Sequence, residues 1–272
     1  MEDIKKQVQF LRPEQIIKEK EENGIIYVPI GPLEWHGPHL PLGVDPLRAE
    51  YVAIELAKRI GGIVLPTFYF GTERERSPQM LKNIGFKEDD YIIGMDFPEN
   101  SLKSLYFKEE VFAIFLRNLL EMLIEKWGYR FIIIVNGHGG ENHITVINRL
   151  KKEFEKEKKV KILHILPALN FPNSKWSHAT KEETETVMSI YPETVDLKKL
   201  PQKPEKLKNI KFAIVDDLTF RGTPTDDFTV RNEEDPRDAT FESGKEVFNL
   251  TIEQLEKIIK EEIEKEKEKK NE

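Results

Sequence analysis

The sequence predicts an α/β fold in which a mostly parallel sheet is covered by helices on both faces. Two observations predict it. Short apolar runs rich in β-branched residues alternate with segments of helical periodicity, and those runs are apolar throughout instead of alternating with polar residues. The chain has 272 residues, of which 39% are hydrophobic, which suffices for one large domain or two small ones.

The first half of the chain predicts a strand, a helix and a second strand. Residues 25–30 are apolar and end at a Gly-Pro pair, so they predict a buried strand. Residues 46–60 carry apolar side chains at helical spacing and predict a helix that ends at a Gly-Gly pair. Residues 63–66 predict the next strand, and an aperiodic polar stretch from about 70 to 107 follows. A stretch of this length inside a domain is usually functional or disordered, and its aromatic residues favour an ordered one.

The second half continues the alternation. An amphipathic helix is predicted over 111–127, a strand over 131–135 and a helix over about 143–157, with a glycine-rich turn at 136–140 between the last two. Residues 160–166 predict another strand. Ligands of parallel sheets bind beyond the carboxyl ends of the strands, where both glycine-containing loops are expected to lie.

The C-terminal part is helical in pattern from Asn249 onward and then becomes a Lys/Glu-rich tail from about 264, which we expect to be a frayed, solvated end. The chain shows no internal repeat and no domain linker. We therefore expect a single domain over residues 1–272.

Composition excludes several classes of function. The net charge is −7 with charges of both signs interspersed, which argues against nucleic acid as a partner. Apolar runs all fall well short of the roughly 20 residues that cross a bilayer, and the N-terminus does not resemble a signal peptide, so we expect a cytoplasmic protein without membrane contact. The absence of cysteine excludes disulfides, thiolate metal sites and cysteine nucleophiles.

The loop after the first strand holds three side chains of metal-ligand type, Glu34, His36 and Asp45. Carboxylates and imidazoles are ligands for first-row divalent ions. Glu34 and His36 stand two residues apart, so an extended backbone would project both to the same side. Gly37 and two prolines turn the chain so that Asp45 can return. The alternative is an ordinary surface loop with a few polar residues.

Two later segments add histidine and glutamate. His138 lies in the glycine-rich turn, which could otherwise be only a tight turn, and His178 and Glu183 lie in a segment that alone could be a solvated helix face. Most of the histidines lie in or next to these three segments: His36, His39, His138, His143 and His178. The remaining one, His164, falls inside a predicted strand and is expected in the core.

These motifs resemble those of the creatininase (creatinine amidohydrolase) family. The pattern Glu-x-His-Gly-Pro-His-Leu-Pro-Leu-x-x-Asp begins at Glu34, and Asn-Gly-His-Gly-Gly begins at Asn136. The likeness extends over about residues 20–250, through His178-Ala179, Glu183-Thr184, Pro192, the segment 235–240 and Gly244-Lys245. The resemblance implies a three-layer α/β sandwich with a mostly parallel central sheet, a two-metal site and a homo-oligomer, often a hexamer.

The resemblance also assigns roles to residues. It implies that Glu34, Asp45 and His138 hold one divalent metal ion and that His36, Asp45 and Glu183 hold the other, with Asp45 bridging. Some family members take a metal-binding glutamate from the glycine-rich turn, so Glu141 is the alternative to Glu183 as fifth ligand. Zn²⁺, Mn²⁺ and Fe²⁺ all tolerate this ligand set.

The implied activity is metal-dependent hydrolysis of a small polar cyclic substrate. Two cations would lower the pKa of a shared water and polarise a carbonyl. Glu141, or Glu183 if Glu141 is the ligand, would receive the proton of the water, and His178 would protonate the leaving atom.

Two substrate classes remain open at this point. The bond cut is either C–N, in a cyclic amide or a formamide of cofactor biosynthesis, or C–C, in an inositol-derived diketone such as 3-dehydro-scyllo-inosose. The stretch from 70 to 107 is dense in hydrogen-bonding side chains, which favours a hydroxyl-rich ligand over creatinine, unless these are only surface charges. A non-catalytic binding or scaffold subunit is the remaining alternative.

Overall fold

A computed structural model of the chain describes residues 5–100, 102–170, 178–210, 213–215, 221–222 and 230–271. Its central sheet has four strands in the order β2-β1-β3-β4, and all neighbouring strands are parallel. The strands are β1 (Ile25–Ile30), β2 (Ile63–Val64), β3 (Phe131–Asn136) and β4 (Lys161–Ile165). The predicted parallel sheet is confirmed, although β2 is shorter than the sequence indicated.

Seven α-helices lie in the described part of the chain. They are α1 (Pro13–Glu22), α2 (Val44–Ile60), α3 (Pro78–Ile84), α4 (Glu109–Glu121), α5 (Glu141–Lys158), α6 (Lys181–Ile190) and α7 (Phe241–Asn271). A π-helical turn, Met122–Lys126, continues α4. Helices α2 and α5 each begin two residues earlier than predicted, which places Asp45 and Glu141 in their first turns.

Side chains of β1 alternate between two apolar layers because successive residues of a strand point to opposite faces. Ile26, Val28 and Ile30 pack with α4 and α5, in a cluster completed by residues such as Phe112, Leu116, Val146 and Leu150. Ile25 and Tyr27 pack with α2 and α7, whose contribution includes Val52, Leu56, Ile252 and Leu255. Helices therefore cover both faces of the sheet, in three layers as expected.

The C-terminal helix differs from the sequence expectation. It is continuous through Asn271 instead of fraying from about residue 264. Just before this segment, Lys161 pairs with Glu262 at 2.6 Å, and Ile263 packs against the α2–α7 layer, so the helix is attached to the body up to that point. Lys267 and Lys269 contact glutamates three positions earlier, at 2.8 and 2.7 Å, which supports the exposed turns.

A short antiparallel pair, β5 (Lys208–Ile210) and β6 (Ala213–Val215), stands apart from the main sheet. No helix in the described residues is long and apolar enough to cross a membrane.

Candidate metal centre

Asp45 lies where the carboxyl ends of β1 and β3 meet. The strands are parallel neighbours with Ile30 opposite Asn136, so the loops that follow them leave the sheet at the same edge. The backbone of Asp45 packs against Gly137, where an added Cβ would lie 2.5 Å from the Asp45 carbonyl carbon. Glycine at 137 therefore lets the first turn of α2 reach the end of β3. Asp45 is buried there, with only 2% of its surface exposed.

Glu34 and His36 reach the same place from the loop after β1. The Glu34 amide donates to the Leu42 carbonyl at 2.9 Å, which closes the loop, and His36 Nδ1 lies 3.0 Å from the Glu34 carbonyl oxygen. That contact leaves His36 Nε2 facing Asp45 Oδ1 at 3.3 Å. Both side chains are buried, as expected if they project to one side.

His138 completes the first predicted set. Its backbone is held by the Asn136 side chain, which accepts from the His138 amide at 2.9 Å and donates to the His138 carbonyl at 2.8 Å. His138 Nδ1 then lies 3.0 Å from Asp45 Oδ2 and 3.1 Å from Glu34 Oε2. The role of Asn136 was not predicted. Its position, as a polar residue at the end of an apolar strand, was the signal in the sequence.

Glu183, on α6, reaches the cluster, whereas Glu141 does not. Glu183 Oε2 lies 3.8 Å from His36 Nε2, and it also accepts from the Ala179 amide at 2.6 Å. Arg48 Nη1 donates to Glu183 Oε1 at 2.8 Å. The Glu141 side chain is 74% exposed and pairs with Arg74. The geometry therefore favours Glu183 as the fifth ligand.

Arg48 is another residue whose role the sequence analysis missed. It lies one turn after Asp45 on α2 and is 5% exposed, and its Nη2 donates to the Pro167 carbonyl at 2.9 Å. The signal in the sequence was a charged residue at a core-facing position of a helical pattern. Because buried arginines are rarely unpaired, such a residue indicates a buried acidic partner.

His178 borders the cluster. Its ring centroid lies 4.2 Å from that of His36, and its Nε2 lies 2.7 Å from the Trp35 carbonyl oxygen, to which it can donate. Its Nδ1 lies 3.9 Å from Glu34 Oε2. Burial, together with the nearby His36, lowers the pKa of His178, so the neutral ring presents a free Nδ1 to the site.

Three groups of ligand-type atoms lie close together among the described residues, and within each group the facing atoms lie within 4.8 Å of one another. One group consists of Glu34, His36 and His178. The other two share the carboxylate of Asp45: Glu34, Asp45 and His138 form one triad, and His36, Asp45 and Glu183 form the second. These are the two groupings that the family resemblance implied.

Charge at the cluster is balanced by protonation of the histidines. Burial opposes a charge on His36, but the carboxylates of Asp45, Glu183 and Glu34 outweigh it and raise its pKa to about 9. Burial likewise disfavours the Asp45 carboxylate, yet His36 and His138 hold the pKa of Asp45 well below its usual range. A cation bound here would take the place of those protons, since metal ligands must be deprotonated.

The donor set fits divalent metal ions. Among the described residues, Glu34 Oε2 and His36 Nε2 are buried without a hydrogen-bond partner, and both face the cluster. Buried polar atoms normally find a partner, so two unpartnered ligand atoms where three carboxylates meet fit a site that binds a cation. Carboxylate and imidazole donors suit Zn²⁺, Mn²⁺ and Fe²⁺.

A cavity of about 500 Å³ opens onto both triads. Its polar wall includes Glu34, Asp45, His138, His178, Glu183, Arg48, Glu182, Glu73, Arg74 and Glu141, and its apolar wall includes Met95, Ile144, Leu166, Pro167 and Ala168. The cavity therefore gives a small molecule access to the shared carboxylate.

Most of the polar side chains between residues 70 and 107 do not line this cavity. Arg76 donates to the Gly94 carbonyl at 2.6 Å, Asp96 accepts from Ser104 at 2.9 Å, and Lys103 donates to the Phe97 carbonyl at 2.6 Å. Most polar groups of this stretch therefore satisfy its own backbone, and Glu73 and Arg74 are the charged side chains of the stretch that line the cavity. The preference for a hydroxyl-rich ligand stays a prediction.

Two side chains of that stretch do reach the metal-ligand residues. The Tyr106 hydroxyl donates to Glu34 Oε1, and Glu73 Oε2 lies 3.5 Å from His138 Nε2. In the sequence, Glu73 and Tyr106 belong to a polar stretch that contains aromatic residues, and nothing there distinguishes them from their neighbours. No local pattern places either one, since both depend on how the stretch folds over the sheet edge.

Comparison with known proteins identifies the family of this chain. The creatininase (creatinine amidohydrolase) family model matches residues 10–259. A 3-dehydro-scyllo-inosose hydrolase from Thermotoga maritima is 24% identical over 181 residues, which cover 65% of this chain and 47% of that protein. A 2-amino-5-formylamino-6-ribosylaminopyrimidin-4(3H)-one 5'-monophosphate deformylase from Methanothermobacter thermautotrophicus is 31% identical over 121 residues, covering 44% of this chain and 42% of that protein. The matches thus span less than half the length of either relative.

Solved structures show the same fold over nearly the whole chain. A crystal structure of creatinine amidohydrolase matches with a TM-score of 0.67 at 18% identity, covering 95% of this chain and 98% of that one. A manganese form of creatininase matches with a TM-score of 0.66, and a zinc–zinc form of a creatininase variant with 0.64, both at 18% identity and the same coverage. The family model covers nearly all of the chain, and the named relatives are hydrolases. The chain therefore belongs to the creatinine amidohydrolase (creatininase) family.

Proposed function

We propose that this protein is a dinuclear metal-dependent hydrolase that attacks a carbonyl group of a small, uncharged polar substrate. One observation carries the proposal: the carboxylate of Asp45 belongs to two triads of ligand-type atoms at the floor of a cavity. A shared carboxylate between two such sets is the arrangement that binds two cations close together.

The ligand assignment follows from the triads. Glu34, Asp45 and His138 would hold one ion, and His36, Asp45 and Glu183 the other. The manganese and zinc–zinc forms among the similar creatininase structures support Mn²⁺ or Zn²⁺ as the ions. Two such cations supply a water that ionises near neutral pH and a Lewis acid for the carbonyl oxygen.

His178 is the residue of this chain best placed to move a proton. Its Nε2 is engaged by the Trp35 carbonyl, so Nδ1 is the nitrogen that can take a proton from the attacking water and return it to the leaving atom. Glu141 also lines the cavity, but its carboxylate is exposed and pairs with Arg74, so it does not face the triads as His178 does.

The charge of the cavity wall favours an uncharged substrate. Apart from the ligand carboxylates, whose charge two bound cations would offset, its acidic residues are Glu73, Glu141 and Glu182, and its arginines are Arg48 and Arg74. Both arginines pair with glutamates of that wall, so within the described residues the wall offers no free cation to a phosphate group. A neutral cyclic ketone or amide suits this wall better than the 5'-monophosphate named for the deformylase relative.

Substitution of the shared carboxylate tests the proposal. Asp45→Asn should lose most bound metal and at least about 100-fold in activity, because a neutral amide ligates divalent ions weakly and both sets lose a charge. Metal content of purified protein and hydrolysis of 3-dehydro-scyllo-inosose and creatinine are the measurements. Asp89→Asn, at an exposed position away from the cavity, is the matched control. Wild-type metal content and turnover in Asp45→Asn would refute the proposal.

A further inference from the structure

His138 presents its two ring nitrogens to opposite sides. Nδ1 faces the cluster, 3.0 Å from Asp45 Oδ2 and 3.1 Å from Glu34 Oε2, whereas Nε2 faces away from it toward Glu73. The ring is 4% exposed and packs at right angles against the His143 ring. If Nδ1 binds a cation, the ring proton must reside on Nε2, which then needs an acceptor.

Glu73 is placed to be that acceptor. Its Oε1 accepts from the Arg74 amide at 2.5 Å, and this bond directs Oε2 to a point 3.5 Å from His138 Nε2. That separation exceeds an ordinary hydrogen bond, and in the described residues Nε2 has no other hydrogen-bond partner. Closing the gap by a few tenths of an ångström would satisfy both groups.

Gly140 is what makes room for this carboxylate. A Cβ added at 140 would lie 2.5 Å from Glu73 Oε2, and it would lie closer still to His138 Nε2. The backbone of Gly140 has φ −58° and ψ 132°, which any residue adopts without strain. A larger residue at 140 would therefore displace Glu73 or His138, whereas the backbone conformation at 140 does not call for glycine.

We propose that Glu73 is a positioning residue that holds His138, through Nε2, in the tautomer and orientation that bind metal at Nδ1. This inference rests on the proposed dinuclear site. Carboxylates that accept the second N–H of a metal-binding histidine fix its tautomer and raise its basicity, and their loss typically lowers metal affinity about 10- to 100-fold.

Zinc affinity of the metal-free protein, measured by competition with a chelator, tests the proposal. Glu73→Ala should weaken Zn²⁺ binding about 10- to 100-fold. Glu73→Gln retains an acceptor oxygen and should recover most of the affinity. Glu75→Ala, two residues away at an exposed position, should bind like wild type. Far-ultraviolet circular dichroism and a thermal melt confirm that each variant is folded.

Gly140→Ala supplies a second, independent variant. Its methyl group would overlap both Glu73 Oε2 and His138 Nε2, so it should lower zinc affinity at least as much as Glu73→Ala does. Wild-type affinity in Gly140→Ala would show that the positions of Glu73 and His138 do not matter for binding.

The outcomes separate this inference from the proposed function. Failure of the wild-type protein to bind zinc tightly would overturn both. Tight binding by wild type together with unchanged affinity in Glu73→Ala would overturn only the role of Glu73. Equal losses in Glu73→Gln and Glu73→Ala would also overturn it, since they would show that the charge of Glu73 matters and not its ability to accept from Nε2.

Discussion

At the scale of single residues, the site consists of ligand-type atoms and of the groups that hold them in a fixed orientation. Asn136 fixes the backbone of His138, Arg48 fixes the carboxylate of Glu183, and the Trp35 carbonyl fixes His178. Each of these supports is buried or partly buried, so its partner has little freedom to turn away. Removal of a supporting group should therefore weaken metal binding without removing a ligand.

Tyr106 provides a test of this view. Its hydroxyl donates to Glu34 Oε1, which leaves Oε2 directed at His138 Nδ1. Tyr106→Phe keeps the ring and removes the donor, so Glu34 should lose its fixed orientation and zinc affinity should fall about 10-fold. Chelator competition measures this. Tyr91→Phe removes a hydroxyl from an exposed tyrosine of the same stretch and should leave the affinity unchanged; an unaltered affinity in Tyr106→Phe would contradict the prediction.

Much of the residue-scale site could be predicted from sequence, because the ligand-type residues stand in short motifs. Glu34, His36 and Asp45 fall within twelve consecutive residues of one motif, and His138 lies in a turn whose glycines mark a close approach. Glu73 and Tyr106 could not be predicted. They reach the cluster from an aperiodic stretch, whose course depends on tertiary contacts that no local pattern records.

At the scale of secondary-structure elements, the junction between α2 and β3 determines the position of Asp45. Gly137 and Asp45 are in backbone contact there, and backbone atoms cannot move aside as a flexible side chain can. Their contact links the end of a central strand to the first turn of the helix that carries the shared carboxylate.

Gly137→Ala should disrupt that junction. Its methyl group would overlap the Asp45 carbonyl, so we expect a loss of about 1–3 kcal/mol in the free energy of unfolding together with loss of bound metal. Gly43→Ala is the matched control, because a Cβ there would lie 3.4 Å from the Leu47 side chain, an ordinary contact. Urea unfolding and metal analysis distinguish the two. Retention of full metal content by Gly137→Ala would show that the junction does not hold Asp45.

Sequence patterns were informative for elements that bury a continuous apolar face and uninformative for the others. Strands β1 and β3 and helices α2, α4 and α5 were predicted, because their apolar residues follow the periods of strand and helix. Helix α1 has no fully buried residue, and α3 is only seven residues long, so neither carried a signal. The charged pattern of α6 fits a solvated face as well as a ligand-bearing one, and in the structure Glu183 to Val187 are all buried.

At the scale of the whole molecule, the two triads join segments distant in the chain. The loop after β1, the start of α2, the turn after β3 and the start of α6 contribute one or two ligand-type residues each. Parallel pairing of β1 with β3 brings three of these segments to one edge of the sheet, and α6 adds the fourth through its contacts with α2 and α7. Metal binding should therefore couple to the stability of the entire fold.

Removal of metal should lower the thermal stability of the protein. A ligand that binds only the folded state stabilises it by about 2.7 kcal/mol at a free concentration 100 times its dissociation constant. For a chain of this size that corresponds to an increase in Tm of about 5–10 °C. Without cations, the positive charges beside the three buried carboxylates are those of Arg48 and the protonated histidines. These charges offset only part of the free-energy cost of burying the carboxylates.

The measurement is a calorimetric melt of the protein after chelation and dialysis, repeated at increasing Zn²⁺. We expect Tm to rise with the logarithm of free Zn²⁺ in wild type and to stay constant in Asp45→Asn, which separates specific binding from general effects of the ion. The same rise in Asp45→Asn would place the stabilising ion outside the triads. Melting in two separate steps, only one of them sensitive to Zn²⁺, would show that the sheet and its surrounding helices do not unfold as one cooperative unit.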